Sequence, residues 1–190
     1  QYERINPLDD AEYVANAVFT FRPDGAVVTE TREISTTETC NECHTRLEFH
    51  GSRRDFQYCI LCHQPQSADP DTGNSVNMPE LIHKIHMGEQ LPSVQGGAPY
   101  QFIGFGGRVA DYSDVVFPQP ITNCVSCHTQ EVDGSGEPVA PHADVWNLGP
   151  SIVGCGSCHD RTWFGSPDET PEGFEDHIIP QVDDSNCALC

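Results

Sequence analysis

The chain is short of the material from which a protein interior is usually built. Of its 190 residues, 37% belong to the hydrophobic set and 8% are aromatic, against 16 glycines and 15 prolines. Side-chain burial at that level would struggle to offset the conformational entropy lost on folding, so something else must fill the interior. Basic residues are also scarce: 9 Lys and Arg stand against 29 acids, a formal charge of −20. Phosphate contacts need cations, so a nucleic-acid binder is excluded, and docking on anionic lipid is disfavoured. Residues 101–190 carry 14 acids against Arg108 and Arg161 alone, which reads as a solvated acidic surface. No stretch reaches the roughly 18 to 20 apolar residues of a membrane span, so no transmembrane segment is expected. Gln1 opens no signal-peptide pattern, and the chain reads as a mature or excised piece.

Cysteine, by contrast, is abundant. Ten in a chain of this size first suggest a secreted disulfide scaffold. Their spacing argues otherwise, because all ten form Cys-x-x-Cys pairs: Cys40/Cys43, Cys59/Cys62, Cys124/Cys127, Cys155/Cys158 and Cys187/Cys190. A disulfide framework gives no reason for that uniformity. Histidine follows four of the pairs at once, as His44, His63, His128 and His159. This is the attachment signature of haem c: two thiols one short turn apart reach two vinyl groups on one edge of the macrocycle, and the next residue offers its imidazole to the iron. The fifth pair stands at the end of the sequence, where the position for its histidine is not present. Zinc knuckles also use Cys-x-x-Cys, but a zinc protein has no reason to place histidine after every pair. The expected cofactor is therefore haem c, five per chain, or four if the last pair is empty.

The remaining histidines are His50, His83, His86, His142 and His177, five for five pairs. If each iron takes one motif histidine and one of these as distal ligand, every histidine in the chain is used. Methionine, the usual rival for the sixth position, is present only as Met78 and Met87, and Met87 is better explained by packing. Bis-histidine ligation, low-spin iron and low potentials are expected.

Local signals place some of these ligands. Asn77 to Gly88 reads as a helix with Asn77 as N-cap, Pro79 and Glu80 in the first turn and Gly88 as the stop. His83 and His86 share one face, so each serves a different iron, with Leu81 and Ile85 packing on porphyrin or core. His44 to His50 reads as one to two helical turns ended by Gly51. One short helix cannot present ligands to both faces of a ring, so His50 is assigned to a haem other than the one on Cys40 and Cys43. Val14 to Phe21, the turn Arg22 to Gly25 and the β-branched run Ala26 to Ile34 read as a β-hairpin or connector. Gly104-Phe105-Gly106-Gly107 lacks the strand-and-helix frame of a phosphate loop and is read as close approach of backbone to a haem. Eight acids in residues 160–184, among them Asp168, Glu169, Glu172, Glu175 and Asp176, offer oxygen ligands to calcium, with a solvated loop as the default.

These residues resemble the outer-membrane decahaem cytochromes of the OmcA/MtrC family. The likeness runs from Arg32-Glu33-Ile34 and Cys40-Asn41-Glu42-Cys43-His44 through Leu47, His50-Gly51, Arg54 and Tyr58-Cys59. It continues in Cys62-His63-Gln64-Pro65, Leu81 to Gly88, Gly104 to Gly107 and Tyr112-Ser113-Asp114-Val115-Val116-Phe117-Pro118 before Asn123-Cys124. The resemblance implies one pentahaem module over 36–190, a few short helices and mostly irregular chain wrapped around stacked haems, with residues 1–35 as a hairpin or connector from a preceding β-domain. It implies electron transfer at the cell exterior or outer-membrane surface, to another multihaem cytochrome, ferric or manganese minerals, or flavins. The periplasm is the alternative location. A reductase of a small oxyanion is the alternative function, disfavoured because no haem is short of a distal ligand; a cytochrome-filament subunit is the third.

Overall fold

The computed structural model describes residues 2–9 and 12–189. In chain order the elements are β1 (Tyr2–Ile5), β2 (Glu12–Ala15), α1 (Thr37–Asn41), α2 (Phe56–Cys59), α3 (Met78–Met87), α4 (Pro92–Gln95), β3 (Gln101–Gly104), β4 (Arg108–Asp111), α5 (Val145–Leu148), α6 (Ile152–Cys158), β5 (Thr162–Trp163) and β6 (Glu175–Asp176). Among the described residues these form three two-stranded sheets: β1 and β2 antiparallel, β3 and β4 antiparallel, β5 and β6 parallel. Everything between is turn, one-turn 3₁₀ helix or irregular chain. Among the described residues no helix is long and apolar enough to cross a membrane.

The chain divides into two compact units, residues 1–62 with 124–145, and residues 63–123 with 146–190. In the first, the N-terminal hairpin is present but lies earlier than its sequence signal. Tyr2 pairs with Ala15 and Ile5 with Glu12, whereas 16–34 form no strand. The turn at 22–25 does form, closed by Gly25 N–H on the Arg22 carbonyl at 3.0 Å, but its β-branched flanks do not pair. Strand propensity records fit to a half-buried pleated surface, and no such surface meets 26–34. The expected helical turns at 44–50 are also absent. The Asn41 side chain takes the Leu47 amide at 2.5 Å, and Phe49 pairs with Arg53 across a turn in which His50 and Gly51 hold φ of +50° and +82°.

In the second unit α3 forms as the sequence reads. Pro79 lies in its first turn and Gly88 ends it at φ +43°, donating to the Lys84 carbonyl. Asn77 makes no side-chain cap, and its backbone carbonyl instead accepts the Leu81 amide at 2.8 Å. α3 packs on α6. Gly104 to Gly107 is the corner of the β3–β4 hairpin, where Gly106 and Gly107 hold φ of +72° and +76°, a conformation that favours glycine on local grounds alone.

A polar knot ties this unit together around Asp69. Its carboxylate accepts the amides of Ile103 (2.6 Å), Asp71 (2.8 Å) and Thr72 (3.3 Å), so the loop that carries it is fastened to β3. The Ile103 amide, followed by those of Asp71 and Thr72, holds the carboxyl below its ordinary value. A depressed carboxyl contributes stability above the unfolded pKa of about 3.9 and loses it as pH falls through the folded value. Asp69→Asn is therefore expected to lower the urea midpoint of the holoprotein near pH 6, with the gap to wild type closing as pH falls to about 2. Parallel midpoints at all pH values would contradict this.

Candidate haem-binding site

The four complete motifs share a hydrogen-bonded turn in which the carbonyl of the first cysteine accepts the amide of the second cysteine, of the histidine, or of both. Cys40 accepts from Cys43 (3.3 Å) and His44 (3.0 Å), and Cys124 from Cys127 (3.2 Å) and His128 (3.0 Å). Cys59 accepts from Cys62 at 3.1 Å, and Cys155 accepts from His159 at 2.9 Å. Such short helices cannot stand on propensity, and side-chain caps hold three of them. Thr36 caps α1 through the Thr39 amide (3.2 Å), Asp55 caps α2 through Gln57 (2.9 Å), and Ser151 caps α6 through Gly154 (3.0 Å). The i, i+3 spacing puts both sulfurs on one side of the turn, as attachment along one ring edge requires.

No disulfide joins the described cysteines to one another. In the first unit Cys40, as a thiol, is pushed up to about 11, mainly by burial and next by the neighbouring Cys127, with Cys59 adding to it. Burial also raises Cys127, which feels Cys43 as well. Cysteines of different motifs therefore lie within electrostatic reach of one another. His128 is lowered, chiefly by burial, which keeps its imidazole neutral as an iron ligand must be.

Tautomers follow from hydrogen bonds to groups that can only accept. His63 Nδ1 bonds the Val76 carbonyl (2.9 Å), His86 Nδ1 the Ile82 carbonyl (2.9 Å) and His177 Nδ1 the Ile179 carbonyl (2.7 Å). Each Nδ1 must carry the proton, which leaves the Nε2 lone pair for a metal. His142 is the exception. Its Nδ1 accepts the Glu33 amide at 3.3 Å, so its proton sits on Nε2. His83 is half-buried beside His86 on α3, whereas His50 lies exposed in its turn.

The second unit holds a cavity of about 400 Å³ lined by Cys155, His159, Phe164, His177 and Cys187 among others. It brings together a motif cysteine, the histidine of the same motif and a histidine from outside the motifs. His177 is fixed by stacking on Phe164 (centroids 5.1 Å apart), by its amide on the Trp163 carbonyl (2.8 Å) and by the Nδ1 bond. Cys187 lies in a 3₁₀ turn, and Cys190 falls outside the described residues.

These residues fit haem c. The donor set is thiols paired at one-turn spacing together with imidazoles, of which His63, His86 and His177 carry the proton on Nδ1, and the cavity walls are apolar. The packing supports it: among the described residues the buried apolar side chains are only Leu47, Met78, Leu81, Leu91, Tyr100, Ala140 and Ala143, while Leu61, Val125, Ile178 and Val182 stand exposed. Leu81 is in the core, as its position on α3 implied, and Ile85 is half-buried. Apolar surface left open on this scale calls for a cover. The acids at 160–184 are not gathered: among the described residues no group of three or more Asp, Glu, His or Cys side chains is placed to hold a metal ion.

Sequence reasoning missed the Asp69 knot, although Asp69-Pro70-Asp71-Thr72-Gly73 carries an Asx-turn signature. It also missed the Glu33–His142 pairing, for which no local signal exists.

Comparison with known proteins agrees with this chemistry. The family model described as outer membrane cytochrome MtrC/MtrF-like, domains II/IV, matches residues 32–190. The multiheme cytochrome MtrC of Shewanella baltica (strain OS185) is 28% identical over 190 residues, covering 97% of this chain and 22% of its own. The crystal structure of the outer membrane decaheme cytochrome OmcA superposes with a TM-score of 0.63 at 33% identity, covering 81% of this chain and 23% of that one. MtrC from Shewanella baltica OS185 superposes with a TM-score of 0.57 at 25% identity, covering 100% and 24%. The chain thus spans less than a quarter of the length of these relatives.

Proposed function

Because the chain belongs to the MtrC/MtrF-like outer membrane cytochrome family, domains II/IV, we propose that it is a pentahaem electron-transfer module, residues 36–190, with 1–35 as the entry from a preceding domain. The observation that carries the reading is the cavity shared by Cys155, His159 and His177. In it Cys155 and Cys158 are the thioether tethers, His159 the proximal ligand and His177 the distal ligand of one iron. His44, His63 and His128 take the proximal role in the other complete motifs. His50, His83, His86 and His142 serve as the remaining distal ligands, His142 with its proton moved from Nε2 to Nδ1 and the contact with the Glu33 amide given up.

Haem c, when bound, supplies a reversible one-electron couple. The chain's residues tether it, fix the imidazole tautomers through backbone carbonyls, exclude water from the ring faces and set a low potential by giving the iron two histidines. No acid–base pair beside an open ligand position is needed for that work, which separates it from a reductase. Family membership supports an outer-membrane, extracellular setting. Other multihaem cytochromes are the partners this reading favours, with minerals and flavins as terminal acceptors; filament assembly has no separate support.

Protein-film voltammetry tests the reading. Reversible non-turnover waves unchanged by nitrite, hydroxylamine or sulfite are expected. A catalytic current with any of the three would overturn it in favour of the reductase.

A further inference from the structure

The second unit contains another cavity, about 360 Å³, whose walls include no cysteine or histidine. Lys84, Ser93, Tyr100, Asp160, Arg161 and Phe174 line it. Lys84 is the chain's only lysine and Arg161 one of two basic residues beyond residue 100, so a chain of charge −20 has placed two of its few cations together. The nearby carboxylates are already committed. Asp160 accepts the Ser93 amide at 3.0 Å and its hydroxyl at 2.5 Å, and Glu80 pairs with Lys84 Nζ at 3.3 Å. The Arg161 guanidinium lies over the Phe174 ring, 5.2 Å from its centroid, and makes no ion pair with any described residue. Tyr100 is 2% exposed, and its hydroxyl is buried without a hydrogen-bond partner. Lys84 Nζ sits 5.7 Å from the same ring.

A buried phenol without an acceptor is destabilising, and an Arg with a free fork beside a Lys is a carboxylate-recognition set. With Asp160 held by Ser93 and Glu80 by Lys84, what the cavity leaves without an oxygen partner is the Arg161 fork and the Tyr100 hydroxyl. Haem c brings two carboxylates: its propionates lie on the edge of the macrocycle away from the thioether edge. Arg161 follows His159 by two residues, and Lys84 lies between His83 and His86 on the helix that packs against α6. We propose that this cavity receives a propionate carboxylate of the haem tethered at Cys155 and Cys158, with Arg161 and Lys84 as its cationic partners and Tyr100 as its O–H donor. The inference rests on the haem assignment above. Because these groups neutralise a charge at the ring edge, they also tune that haem's potential.

The test uses the holoprotein carrying haem labelled with ¹³C at the propionate carboxyls, as wild type, Tyr100→Phe, Arg161→Gln and Lys84→Met. Haem-to-chain ratio and low-spin spectrum are expected to stay unchanged. One labelled carboxylate band should shift in the redox-difference infrared spectrum of Tyr100→Phe. In Arg161→Gln and Lys84→Met the midpoint potential of one haem should fall, because losing a positive charge favours the ferric state. Tyr100→Phe removes a single oxygen that has no protein partner, so it remains a fair test where the charge variants fail to fold. An unmoved labelled band in Tyr100→Phe overturns the proposal, and so does calorimetric binding of inorganic phosphate to wild type that Arg161→Gln abolishes, since the pocket would then serve a free anion. Missing haem or high-spin iron in the wild type would instead sink the haem assignment itself.

Discussion

Replacing His177 with glycine is expected to convert one haem from a low-spin form inert to carbon monoxide into a high-spin form that binds it, with the haem-to-chain ratio unchanged. The proposed tethers Cys155 and Cys158 and the proposed proximal ligand His159 are untouched by the substitution, so the cofactor is expected to stay attached. What goes is an imidazole held in one orientation by stacking on Phe164 at 5.1 Å and in one tautomer by the Ile179 carbonyl at 2.7 Å. Added imidazole should restore the low-spin spectrum. If the variant spectrum matches wild type, His177 is not a ligand. If the new high-spin haem disappears only when Cys187 is also removed, His177 serves the fifth attachment site instead.

The second large effect is expected at Gly88. It holds φ +43° and ψ −115°, a region that residues with a Cβ rarely adopt. A Cβ there would collide with the Val115 carbonyl oxygen and come within 2.7 Å of the Val115 side chain. That carbonyl is also the acceptor for the Glu89 amide at 3.1 Å, so the clash falls on the contact that anchors the end of α3. Gly88→Ala is expected to cost about 2–4 kcal/mol through overpacking and backbone strain. Because His83 and His86 lie on the preceding turn and a half, the variant should also show partial high-spin character in two haems. A denaturant titration followed at the Soret band checks both effects. Unchanged stability would mean that the Val115 segment yields freely.

The haem chemistry was legible in the sequence because its geometry is local. Thiols at i and i+3 and an imidazole at i+4 are fixed by one turn, and the turns at Cys40, Cys124 and Cys155 show the same carbonyl acting as acceptor. α3 was legible for the same reason, since Pro79 and Gly88 bracket a periodic apolar face. The hairpin shows the opposite case. Tyr2–Ile5 and Glu12–Ala15 have little β-branching yet pair, while the run at 26–34 looks like strand and joins no sheet, because strand partners are chosen by burial that sequence does not display. The helical turns expected at His50 gave way to a tight local turn in which Phe49 pairs with Arg53 and His50 takes a positive φ. Histidine tautomers could not be read in advance: they depend on carbonyls such as Val76 and Ile82 and on an amide, Glu33, 109 residues from His142. The cluster of Lys84, Tyr100 and Arg161 escaped notice because its members come from three distant segments.

The central claim is that paired histidines hold each iron, and paramagnetic resonance of the fully ferric holoprotein, with spins counted against haem iron, tests it most directly. The account predicts that all iron at complete motifs is low-spin and bis-histidine, and that carbon monoxide leaves it unchanged after reduction. A stoichiometric high-spin signal from a motif whose proximal histidine is present would contradict it.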